Sequence, residues 1–133
     1  MPKLFQVFVT EWMSENLPEA FKIDPQFYVR LNANADLSFL IDLVLRDRTS
    51  GRALSVIDVK YKLAEQPSEA DIDQVVAYAV ELGVSKAYLL YPISLSEPVK
   101  AKVGNIDVST IGIDLTKPFS KAWNTLAQAI NVQ

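Results

Sequence analysis

Apolar residues recur at helical spacing along residues 4–16. Leu4, Phe5, Phe8, Val9, Trp12 and Met13 mark one face, and Asn16-Leu17-Pro18 ends the run. An extended stretch around Phe27-Tyr28-Val29-Arg30-Leu31 follows, and residues 32–36 have the composition of a turn. Residues 37–46 and 53–62 read as two strands. The link over 47–52 is of hairpin type, with Gly51 able to take a positive φ. Side chains alternate faces along a strand, so Leu40, Asp42 and Val44 share a face, as do Val56, Asp58, Lys60 and Lys62. Ile57, Val59 and Tyr61 point the other way. Both sides are mostly apolar, which predicts a sheet covered on both faces.

Residues 69–83 predict a second helix. Ser68 can cap it, Glu69, Asp71 and Asp73 suit its positive end, and Gly83 can close it. Ile72, Val75, Val76 and Ala79 form the expected buried stripe, with Asp71, Gln74 and Tyr78 on a neighbouring face. Lys86–Tyr91 reads as a strand stopped by Pro92, 93–105 as a loop, and 106–114 as a further strand. Residues 118–131 predict a closing helix with Phe119, Ala122, Trp123, Leu126 and Ile130 inward. A hairpin meander followed by a strand–helix–strand unit predicts an α/β sandwich built on a mixed sheet.

The length of 133 residues fits one compact domain spanning 1–133, and a hydrophobic share of 50% supplies a normal core. No apolar stretch approaches a membrane span, and the N-terminus lacks the layout of a secretory signal, so the expected setting is cytoplasmic, without a membrane partner. Cys and His are both absent. That excludes disulfides, thiolate zinc sites, cysteine nucleophiles and any histidine base. Chemistry must come from Asp, Glu, Lys, Tyr, Ser or Thr, and hard oxygen ligands favour Mg²⁺ or Mn²⁺. The net charge of −3 argues only mildly against a nucleic-acid partner.

Against this background three charged residues stand out. Asp42 interrupts Leu40-Ile41-Asp42-Leu43-Val44-Leu45, and Asp58 and Lys60 sit in Val56-Ile57-Asp58-Val59-Lys60. Charges in apolar runs need partners or a purpose. Phosphodiester hydrolysis needs an activated water and positive charge where the phosphate becomes more anionic. Asp42 and Asp58 can each give an oxygen to Mg²⁺, and the Val59 carbonyl can add another. Lys60, on the same strand face as Asp58, can orient or deprotonate the water and stabilise the phosphate. Lys62 suits either an edge charge or a phosphate contact. Arg46, Arg48 and Arg52 fit a solvated turn better than a DNA track.

Ile41-Asp42 followed by Asp58-Val59-Lys60 resembles the PD-(D/E)xK nuclease motif, and Gln74–Tyr78 resembles the QxxxY helix of several branches of that superfamily. Leu4–Val9, Leu43–Asp47 and Ile57–Lys62 look like the nuclease domain of McrC, the cleaving subunit of McrBC-type 5-methylcytosine restriction systems. The resemblance runs from about residue 4 to residue 92. It implies a restriction-endonuclease-like α/β/α sandwich and a Mg²⁺- or Mn²⁺-dependent DNA endonuclease. Asp42 and Asp58 would be metal ligands and catalytic with Lys60, and Gln74 and Tyr78 would support the site or touch DNA. Two features depart from the pattern: Ile41 replaces the usual proline, and Gln6 stands where similar proteins often carry a helix glutamate. The chain is also expected to lack the long N-terminal region that couples McrC to its GTPase partner, so the restriction partnership is not carried over from the resemblance. Duplex cleavage calls for two sites, hence a homodimer or partner subunit. The alternative is a non-catalytic nucleic-acid-binding or assembly module that keeps the fold.

Overall fold

The computed structural model describes residues 2–30, 38–60, 67–95 and 98–132. Its elements are α1 (Pro2–Asn16), β1 (Phe21–Arg30), β2 (Ser38–Asp47), β3 (Ala53–Val59), α2 (Glu69–Leu82), β4 (Lys86–Tyr91), β5 (Lys100–Val103), β6 (Ile106–Gly112) and α3 (Phe119–Ala129). The strands form a six-stranded sheet in the order β1-β2-β3-β4-β6-β5. β1–β2, β2–β3 and β5–β6 are antiparallel, whereas β3–β4 and β4–β6 are parallel. A parallel neighbour requires a crossover, and α2 provides it between β3 and β4.

Alternation along the strands supplies two apolar faces. On one, Phe5, Val9, Trp12 and Met13 of α1 and Leu126 of α3 pack with Leu43, Leu45, Ile57, Leu90 and Ile111. On the other, Val75, Tyr78 and Ala79 of α2 pack with Val44, Val56, Leu89, Tyr91 and Val108. Each large side chain taken fully from water contributes roughly 1.5–3 kcal/mol. The result is the expected α/β/α arrangement around a mixed sheet. Among the described residues, no helix is long and apolar enough to cross a membrane.

The expected elements differ from the observed ones in several places. β1 is twice the expected stretch and runs through Pro25, which an outer strand tolerates because one side needs no donor. The expected loop 93–105 contains β5, whose exposed lysines disguise an edge strand. The buried stripe of α2 is Asp71, Val75, Tyr78 and Ala79, with Ile72 and Val76 only partly covered. The helix is rolled toward its polar residues because these face the charged end of β3. Leu4 and Phe119 are exposed. The Phe119 ring instead lies 5.6 Å from Phe8 and 6.5 Å from Trp12, on the rim of an aromatic group. The expected turn at 32–36, the strand ends at 37 and 61–62, and Lys62 lie outside the described residues.

Local chemistry fixes the ends that matter. α2 opens with a capping box: Ser68 Oγ accepts the Asp71 N–H at 3.1 Å, and Asp71 Oδ2 accepts the Ser68 N–H at 3.2 Å. Gly83, at φ 70°, closes it in the left-handed conformation. In the β2–β3 turn, Asp47 Oδ1 accepts the N–H groups of Thr49 and Ser50. Arg48 donates to the carbonyls of Glu19 and Phe21, and Arg46 pairs with Asp24 and lies over Phe27. These two arginines hold the hairpin against β1 and its approach.

Gly112 ends β6 beneath the chain that leaves β4. A Cβ there would lie 2.3 Å from the Ile93 carbonyl oxygen and 2.8 Å from the Leu95 nitrogen. Both are backbone atoms, so Gly112→Ala must move a segment of chain. It is expected to cost about 1–3 kcal/mol, read as a lower midpoint in thermal or urea unfolding. An unchanged midpoint would disprove that close approach.

Candidate active site

The β2–β3 ladder runs from Arg46–Ala53 to Leu43–Ile57. Continuing the register by one step sets Asp42 opposite Asp58. Like charges directly opposite each other are unfavourable, and the ladder ends where they meet. Beyond that point Asp42 Oδ2 accepts the Val59 N–H at 2.9 Å, replacing a backbone acceptor with a side chain. The N–H and C=O of one strand residue point the same way, so the Val59 carbonyl faces the Asp42 side.

Asp42 is half-buried and Asp58 is buried. Asp58 is 5% exposed. The Asp42 pKa is pushed up from 3.8 to about 7, first by burial and then by the hydrogen-bonding and charge of Asp58; the Val59 N–H and the Lys60 charge oppose the rise. Asp42 therefore gives up its proton only near neutrality, with the Asp58 carboxylate beside it as one cause.

Lys60 supplies the counter-charge. Its Nζ lies 2.7 Å from Asp58 Oδ2 and 3.5 Å from Asp71 Oδ1, and it donates to Gln74 Oε1 at 3.1 Å. The contact with Asp58 is an ion pair in distance without hydrogen-bond alignment. Burial alone would lower the Lys60 pKa, but Asp58 and Asp71 outweigh it and hold it above 10.5. Lys60 is thus an ammonium in this arrangement, a cation rather than a ready base.

α2 furnishes the second wall. Tyr78, 4% exposed, hydrogen-bonds with Gln74 one turn earlier. Its pKa is raised, mainly by burial and then by Asp58 and Asp42. The structure thus brings Asp42, Asp58, the Val59 backbone, Lys60, Gln74 and Tyr78 into one place. Gln6 is on α1, whose buried residues belong to the opposite face of the sheet.

Asp71 also belongs here. It is 6% exposed and divides its carboxylate: Oδ2 caps α2 and Oδ1 faces Lys60. Its position one helical turn from Gln74 was a usable signal, hidden by its fitness for the helix N-terminus. Tyr91 is similarly close, its pKa pushed up to about 12 by burial and by the charge of Asp71.

This donor set can suit a small hard cation. Among the described residues, no three His, Cys, Asp or Glu side chains form a group able to hold a metal. Two carboxylates, a carbonyl and waters remain, which is the sparse protein contribution that Mg²⁺ accepts.

The paired acids carry a stability consequence. Asp42 binds a proton more tightly folded than unfolded, so without divalent ions its contribution falls as pH rises from about 4 to about 7. An asparagine side chain here would keep an oxygen for the Val59 N–H but carry no charge. Metal-free Asp42→Asn is expected to melt several degrees above wild type at pH 8, with the advantage fading toward pH 4. A pH-independent difference between the two melting curves would contradict this.

Comparison with known proteins places the chain. The profile of the McrBC 5-methylcytosine restriction system component family matches residues 1–92. No match is found among curated proteins. Among solved structures, a chain of the tetradecameric Thermococcus gammatolerans assembly of McrB AAA+ hexamers with bound McrC is similar, with a TM-score of 0.77 and 18% identity. The alignment covers 98% of this chain and 33% of that one, so this chain spans about a third of its length. At that identity the likeness establishes the fold. The family match spans more than half of the sequence: the chain belongs to the McrBC 5-methylcytosine restriction system component family.

Proposed function

We propose that the chain is the nuclease part of a McrBC-type restriction system, a PD-(D/E)xK enzyme that hydrolyses DNA phosphodiester bonds with Mg²⁺ or Mn²⁺. One observation carries the reading: a half-buried carboxylate, Asp42, and a buried one, Asp58, meet at the end of the β2–β3 ladder, with the Lys60 ammonium 2.7 Å from Asp58. Asp42, Asp58 and the Val59 carbonyl would hold the ion. Bound there, it would supply Lewis-acid polarisation of the phosphate and lower the pKa of a water. Lys60 holds positive charge where the phosphate oxygens become more anionic. Gln74 and Asp71 keep its long side chain from wandering, and Tyr78 fixes Gln74. Lys62 remains a candidate phosphate contact. Family membership supports a role in restriction, and the similar assembly, in which McrC is bound to McrB, supports an AAA+ partner subunit over a homodimer. A cytoplasmic setting follows from that role.

The test is cleavage of methylated and unmethylated plasmid by the full chain, with and without the partner ATPase, in Mg²⁺, Mn²⁺ or chelator. Nicking or cutting that needs the ion is the expected result, together with a rise in melting temperature on adding Mn²⁺. Absence of both, with partner present, would sink the enzyme reading. Partner binding without either would favour the assembly module.

A further inference from the structure

Gln26 lies on the outer strand β1 and has φ 51°. A left-handed backbone is uncommon for a residue with a Cβ, and such outliers persist where the surroundings require them. Its place in the ladder is specific. β1 and β2 pair at Pro25–Leu43 and again at Phe27–Ile41, and the position skipped between them is Gln26–Asp42.

The faces of both strands change at the same position. On β1, Phe21 and Ile23 pack with the α1–α3 cluster, whereas Phe27, of the same parity, packs with the α2 cluster. On β2, Leu43 and Leu45 lie in the first cluster, whereas Ile41 is buried in the second. Parity fixes the face on a regular strand. Both strands therefore roll between these residues, and the roll is centred on Gln26 and Asp42. A side chain at the centre of a roll points along the sheet instead of to either face. Asp42 does this: its Oδ2 reaches across the strand gap to the Val59 N–H.

We propose that Gln26 is a positioning residue for Asp42. Its left-handed backbone interrupts β1–β2 pairing at this one step and turns the Asp42 carboxylate from the face of the sheet into the gap beside Asp58. The importance of that turn for catalysis rests on the nuclease reading, but the geometry does not. The Gln26 side chain is exposed, so the effect comes from the backbone conformation.

The experiment compares Gln26→Gly and Gln26→Asn, which tolerate the left-handed region, with Gln26→Val, whose branched Cβ opposes it. Gln26→Ala supplies the same contrast if the valine chain does not fold. Amide exchange of Val59 is measured in metal-free protein against Ile57, which stays inside the ladder. The valine chain is expected to exchange at Val59 about tenfold faster relative to Ile57, roughly the worth of one hydrogen bond, with Gly and Asn near wild type. Metal-dependent cleavage is expected to follow the same order. Equal Val59-to-Ile57 ratios in the folded valine and glycine chains would overturn the proposal. Intact exchange differences with no cleavage in any chain, wild type included, would support the positioning role and remove the nuclease reading alone.

Discussion

Replacing Lys60 with alanine is expected to lower the proposed metal-dependent plasmid cleavage by about 10²–10³-fold, the loss typical when one preorganised charge is removed from a developing anion. The expectation is specific because two effects run in opposite directions. The ammonium lies 2.7 Å from Asp58 Oδ2, where it competes with a divalent ion for the same carboxylate. Alanine therefore removes the charge needed by the phosphate while freeing a ligand, and Mn²⁺ binding should persist or tighten. In the metal-free chain the same change leaves Asp58 and Asp71 buried beside each other without their cation, so the melting temperature should fall. Cleavage and the Mn²⁺-induced shift in melting temperature, measured on one preparation, separate these effects. Equal cleavage by wild type and variant would remove Lys60 from the mechanism. Lost Mn²⁺ binding in a folded variant would make it a structural support for the acids.

Asp71→Asn is expected to lower cleavage by about 10–10²-fold with little loss of stability, because an electrostatic hold on the catalytic cation is lost while the cap remains. The division of labour within this carboxylate sets the prediction. Asparagine can still accept the Ser68 N–H through its oxygen, but its amide presents no negative charge to Lys60. Ser68→Ala does the converse. It removes the acceptor of the Asp71 N–H, costs about 1 kcal/mol through the lost cap, and leaves the Lys60 contact in place. Activity should fail in the first variant and stability in the second. If both properties fall together in both variants, the capping box and the Lys60 contact are not separable, and Asp71 is structural only.

These predictions concern residues whose legibility in the sequence differed. Asp42, Asp58 and Lys60 were readable because charges inside apolar strand runs are conspicuous, and strand alternation put Asp58 and Lys60 in phase. Gln74 and Tyr78 were readable from the resemblance, and the structure sets Gln74 against Lys60 and Tyr78 against Gln74. Asp71 was harder. A carboxylate at the start of a helix already has a sufficient reason to be there, and nothing local reveals that its second oxygen faces a lysine eleven positions earlier in the chain. β5 was hidden because an edge strand does not need two apolar faces. Gln26 gave no signal, since its left-handed backbone follows from a pairing between strands rather than from its own side chain.

The bulge between Leu45 and Arg46 reaches furthest. Inside it the β2–β3 pairing follows one register, ending at Leu43–Ile57; outside it, toward the turn, Arg46 pairs with Ala53 one step out of phase. The hairpin turn is thus a gauge for the distant acids. One residue more or fewer in that turn, if the bulge did not absorb it, would set an apolar neighbour of Asp42, Ile41 or Leu43, opposite Asp58 in place of the second carboxylate. The loop is exposed and touches none of the acids, yet its length is held to their tolerance. Drift in this turn would part the two acids while leaving every charged residue of the site in its sequence.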